Sequence, residues 1–109
     1  KTIDKVISKT AELKMQPQVK MFSGAIQDYR KLLRLFPDSD EAYKAQFMIG
    51  FVYSENLNKK DKAREAFVTL LTKYPECDLV ESAKYMIKVI DNPDVEKNML
   101  GAEESSPEK

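Results

Sequence analysis

Apolar residues recur along this chain at three- and four-residue intervals. Ala25, Tyr29, Leu32, Leu33 and Phe36 stand at i, i+4, i+7, i+8 and i+11. Ala63, Ala66, Phe67, Leu70, Leu71 and Tyr74 repeat that face with i+3 filled in. Both are one-sided helix patterns. Each is followed by a proline, Pro37 or Pro75, which pushes the preceding residue out of the α region and ends the helix. A second apolar face follows each proline: Ala42, Ala45, Ile49, Val52 and Tyr53, then Val80, Ala83, Ile87 and Ile90. Ile7, Ala11 and Met15 carry the same pattern at the start of the chain. Five helices are predicted, at about 2–16, 18–36, 40–56, 60–74 and 78–90, with Pro17 in the first turn of the second.

The pattern is an internal repeat. A shift of 38 residues places 25–53 on 63–91 with eight identities in 29 positions. They are Ala25/Ala63, Leu32/Leu70, Leu33/Leu71, Pro37/Pro75, Asp40/Asp78, Ala45/Ala83, Met48/Met86 and Ile49/Ile87. Tyr29/Phe67, Phe36/Tyr74, Asp38/Glu76 and Phe47/Tyr85 exchange like for like. The matches fall on the apolar faces and the turn, and a stacked repeat must preserve both. Equivalent alanines imply close helix crossings. Gly50, inside a predicted helix, costs about 1 kcal/mol against Ala, so a neighbouring helix should approach it closely. Asp38, with Glu41 three residues on, resembles a helix-capping pair, and Ser39 and Asp40 compete for the N-cap. The recurring carboxylates Asp38/Asp40 and Glu76/Asp78 are expected to cap helix starts.

Ile49-Gly50…Tyr53, Ala63…Phe67 and Pro75 occur in the order of a tetratricopeptide repeat, which the chain resembles over about 18–90. Ala25…Tyr29 and Pro37 repeat part of that order one unit earlier. The family unit is usually about 34 residues; here the turn after the proline is longer. That long-turn form resembles repeats of bacterial cell-envelope proteins, such as the C-terminal domain of the Tol-Pal-associated cell-division coordinator and the barrel-assembly outer-membrane lipoprotein. Glu12 and Lys88 stand where the first and last units would carry glycine, as atypical capping repeats do. The resemblance implies an all-α, right-handed superhelix of antiparallel helix pairs, in which the first helix of each pair lines the concave face. It also implies a protein-binding scaffold in the bacterial periplasm or at the outer membrane, with a cytoplasmic setting as the alternative. Residues 1–90 form the repeat domain, and 91–109 a capping segment and disordered acidic tail.

Some apolar residues fall off the buried stripes. Phe47 and Phe51 lie one turn apart, Tyr85 and Val89 repeat that placement, and Lys9 and Leu13 occupy it in the first helix. They predict a groove floored by Leu13, Phe47, Phe51, Tyr85 and Val89, with Lys9, Gln16, Lys44 and Ser54 as polar edges. A helix or extended peptide would lie in it; packing against neighbouring helices is the other reading of Phe47 and Phe51. The family's carboxylate-clamp variant is not expected, because Phe47 and Phe51 stand where polar clamp residues belong. Self-association through the groove or an end helix is the alternative function.

Composition narrows the chemistry. The 109 residues suit one domain. With no His and one Cys, the chain lacks the usual general base and any multi-cysteine zinc site. Cys77 has no base to activate it and reads as inert. No catalytic residues, metal or cofactor are expected. Eighteen basic and eighteen acidic residues balance overall. Residues 1–36 nevertheless carry eight basic and three acidic groups, and 91–109 two basic and six acidic. The basic end could attract an acidic partner or the acidic tail of another copy. Nucleic acid is not an expected partner, because the basic residues interleave with apolar ones at helical spacing. No apolar run approaches the roughly 18 residues of a membrane span. The chain opens at Lys1 rather than Met, implying a processed or excised N-terminus and leaving any targeting segment unread.

Overall fold

The computed structural model describes residues 2–16 and 20–93. They form five α-helices: α1 (Thr2–Lys14), α2 (Phe22–Leu35), α3 (Ala42–Phe51), α4 (Lys60–Lys73) and α5 (Val80–Asp91). No strand occurs among the described residues. Each helix packs on the next in sequence, α1 on α2 through to α4 on α5. The architecture is all-α, as the 3.6-residue periodicity requires. Of the predicted capping segment and disordered tail at 91–109, residues 94–109 lie outside the described residues, as does Pro17.

The repeat sets the core. Ala25, Ala63 and Ala83 are fully buried and Ala45 nearly so, which lets helix backbones approach where larger side chains would hold them apart. The equivalent pairs Tyr29/Phe67 and Leu32/Leu70 are the largest fully buried side chains, with Val52. One cluster joins α1, α2 and α3 through Ala11, Ile26, Tyr29, Leu32, Ala45 and Ile49. A second joins α4 and α5 through Ala63, Phe67, Leu70 and Ala83, and Tyr53 packs against both. The close approach expected at Gly50 is present: a Cβ there would lie 2.7 Å from two ring carbons of Phe67.

The helix ends repeat as well. Phe36 and Tyr74, each before a proline, leave the helical region at φ −136° and −129°. Their N–H groups still bond Leu32 and Leu70 carbonyls at 2.8 Å. Capping by the carboxylates is not what the structure shows. Neither α3 nor α5 has a side-chain cap bond at its N-terminus, and Asp38, Asp40, Glu76 and Asp78 are exposed. Main-chain turns do the work instead, joined after Pro37 by the Ser39 hydroxyl, which accepts the Glu41 N–H. Ser39 N–H bonds Phe36 O and Ala42 N–H bonds Ser39 O, and Cys77 and Val80 repeat both bonds on Tyr74 and Cys77. The first N–H of each helix, on Ala42 and Val80, is thus met by main chain without a carboxylate.

Three further boundaries differ from expectation. Helix α1 ends at Lys14, tightened by Met15 N–H to Glu12 O and Gln16 N–H to Leu13 O. Helix α2 starts at Phe22 rather than 18, because Lys20 adopts φ 53°, a left-handed conformation that no α-helix continues through. Helix α3 gives way to one π-helical turn, Val52–Asn56, closed by Leu57 N–H to Val52 O at 3.0 Å. Asn58 at φ 54° then reverses the chain.

A polar contact ties α1 to the next repeat. Asp4, 7% exposed, accepts the Ser39 hydroxyl and, at 2.8 Å, the Lys5 N–H. The same Ser39 oxygen accepts Glu41 N–H at 2.9 Å. The Ser39 bond, and less strongly the Lys5 bond, hold the Asp4 carboxyl below the ordinary carboxylate range. Arg64 does the same to Asp91 on the surface. A carboxyl held low by the fold stabilises it above the unfolded-chain pKa and withdraws that support as pH falls through the folded value. Thermal stability is therefore expected to decline below about pH 4, less steeply in Asp4→Asn. Melting curves from neutral to acid pH test this, and equal slopes for the two proteins would remove Asp4 from the account.

Candidate protein-binding surface

The sequence-predicted groove residues lie on the alternate helices α1 and α5 and on α3 with its π-helical turn, apart from Gln16, just past α1. Three of them are large apolar side chains left in solvent: Leu13 is 55% exposed, Phe51 36% and Tyr85 39%. Leu13 and Phe51 are repeat-equivalent, 38 residues apart. Val89, the next equivalent, is half-buried. Lys9, Gln16 and Lys44 are exposed, and Lys9 pairs with Glu12 at 3.5 Å.

Two residues are placed differently. Phe47 is half-buried and belongs with the α4–α5 cluster. Its ring lies 5.2 Å from that of Phe67, tilted by 60°, so its area serves helix packing. Ser54, expected on an edge, is buried. Its hydroxyl accepts Lys60 Nζ at 3.1 Å and donates to Glu55 Oε2 at 3.1 Å. Lys60 Nζ also bonds the Ser54 carbonyl at 3.2 Å. The π-helical turn carries Ser54 to the start of α4, so it locks the α3–α4 reversal.

Ile3 and Val6 were missed by sequence reasoning. They are 61% and 56% exposed, and with Thr10 and Leu13 they follow i, i+3, i+7, i+10 along α1. That spacing marks a second, outward apolar stripe on a helix whose other side buries Asp4, Ser8 and Ala11. The helical spacing was readable in advance. Which of the two stripes would be buried was not.

The hollows lie elsewhere. One, about 490 Å³, is lined by Asp4, Lys5 and residues 35–40. Two smaller ones, about 240 and 250 Å³, sit between α2 and α4. The exposed apolar residues of α1, α3 and α5 line none of these three, so what they offer is surface rather than a cavity. Among the described residues no three metal-binding side chains cluster, and no helix is long and apolar enough to cross a membrane.

No curated protein and no solved structure matches the chain. Residues 44–76 match the family model for the tetratricopeptide repeat, less than a third of the sequence. The matched segment runs from the first turn of α3 through α4 to the turn after Pro75, and so places a tetratricopeptide repeat at the centre of the chain.

Proposed function

We propose that this protein is a non-catalytic scaffold that binds a peptide or helix of another protein along the exposed apolar residues of α1, α3 and α5. The exposure of Leu13, Phe51 and Tyr85 carries this reading. A tetratricopeptide repeat at 44–76 supports protein partners in general. Large apolar side chains left in water at repeat-equivalent places favour a ligand that presents apolar residues at i, i+3 or i+4, and i+7. The long turns after Pro37 and Pro75 support a bacterial cell-envelope setting, periplasmic or at the outer membrane, by resemblance alone.

The test is capture from native extract by wild type and by Leu13→Asp/Phe51→Asp. Both positions are exposed, so melting temperature should change little, while partner recovery should drop at least tenfold. Equal recovery by both proteins would remove this surface from the reading. Phe47→Asp is unsuitable as a control, because it places a charge against Phe67 and is expected to unfold the α4–α5 packing.

The Ile3, Val6 and Leu13 stripe favours a second reading, self-association through α1. Mass measured across a wide concentration range decides it. A strict monomer excludes it, and a dimer that Val6→Asp dissociates supports it.

A further inference from the structure

The two hollows between α2 and α4 share Arg30, Tyr53 and Lys62 and together form one cleft. Arg30 is held in place: its Nη2 donates to the Tyr53 hydroxyl at 3.0 Å, and its guanidinium stacks 5.9 Å from the centre of that ring. Lys59 and Lys62 reach the cleft from the start of α4, and Ser23 and Gln27 add polar groups from α2. Glu65 is the one carboxylate lining either hollow. No ion pair engages Arg30, Lys59 or Lys62 among the described residues. This is a basic cleft with one oriented guanidinium, suited to carboxylates.

The chain itself supplies them. Past Pro93 it carries Asp94, Glu96, Glu103, Glu104 and Glu108 against Lys97 and Lys109. Its departure point is fixed. Arg64 of α4 grips Asp91 at the end of α5 with two bonds, Nε to Oδ1 at 2.7 Å and Nη2 to Oδ2 at 3.1 Å. Arg64 lies two residues from Lys62 on the same helix, so the chain leaves α5 beside the helix that bears the cleft lysines. A helix with its side chains is about 10–12 Å across. The twelve residues from Asp91 to Glu103 span up to about 40 Å when extended, well beyond what rounding α4 demands.

We propose that the acidic C-terminal segment, through Glu103, Glu104 and Glu108, folds back within the same molecule onto the α2–α4 cleft and occupies it. Tethering gives the segment a millimolar-range effective concentration, so weak individual charge contacts suffice. The cleft is then a self-occupied acidic-peptide site, separate from the exposed apolar residues of α1, α3 and α5.

The test compares amide chemical shifts of the full chain with those of Glu103→Gln/Glu104→Gln/Glu108→Gln. Shift changes are expected at Gln27, Arg30, Tyr53, Lys59 and Lys62, unaltered on dilution. Raising salt on the wild type to about 1 M, where the screening length is about 3 Å, should reproduce them. Arg30→Gln/Lys62→Gln, read in the signals of residues 102–108, should release the same contact from the other side. Silence in α2 and α4 would overturn the proposal. So would changes centred instead on Lys84 and Lys88 of α5, or changes that vanish on dilution, which would assign the segment to a second copy.

Discussion

Phe67→Ala is expected to lower the unfolding free energy by about 3–5 kcal/mol, the range for removing a buried aromatic ring. Phe67 is fully buried. Its ring sits under Gly50 of α3 and beside Phe47, and belongs with Ala83 of α5 in the second cluster. One side chain therefore joins three helices. A domain of this size is held by roughly 5–15 kcal/mol in total, so the loss would shift a urea midpoint by a large fraction of its value. Because α4 and α5 depend on this cluster, α5 should lose protection from hydrogen exchange before α1 and α2. A loss under about 1 kcal/mol would mean that the site collapses around the vacancy, leaving Phe67 no organising role.

Gly50→Ala should also destabilise, by about 1–3 kcal/mol of overpacking less about 1 kcal/mol of gained helix propensity. The sign rests on rigidity. The added Cβ would meet Phe67 ring carbons at 2.7, 2.7 and 2.9 Å, and a fully buried ring has no free space to turn into. Trimming that ring should reverse the effect: in a Phe67→Leu background Gly50→Ala becomes neutral or stabilising. Denaturant titrations of the four proteins give the coupling directly. Additive losses would place the cost of Gly50→Ala in the helix itself rather than in the contact between α3 and α4.

Much of the fold was legible because a repeat must bury the same positions twice. Tyr29/Phe67, Leu32/Leu70 and the four equivalent alanines were identifiable by period and are core. Pro37 and Pro75 marked helix ends through a local steric rule that no tertiary contact modifies. The candidate surface was legible in part. Leu13, Phe51 and Tyr85 fell off the buried stripe and are exposed. Ile3 and Val6 escaped notice because α1 carries two apolar stripes, and a single helix does not reveal which one its neighbours cover.

By itself, then, the sequence determined that this chain is helical, where its helices alternate, which residues its repeats share, and that Gly50 needs a close neighbour. Those properties follow from backbone sterics and from a periodicity internal to each segment. Tertiary structure decided what depends on partners distant in the chain. It turned Phe47 onto Phe67, tied Asp4 to the Ser39 turn, and buried Ser54 beneath Lys60. It left the carboxylates after Pro37 and Pro75 out of the helix starts, where main-chain turns and the Ser39 hydroxyl bond instead. It also gathered Arg30, Tyr53 and Lys62 into one cleft. Side chains 23 and 32 residues away from Arg30 meet only when α2 and α4 settle on either side of α3, and no local pattern encodes that meeting.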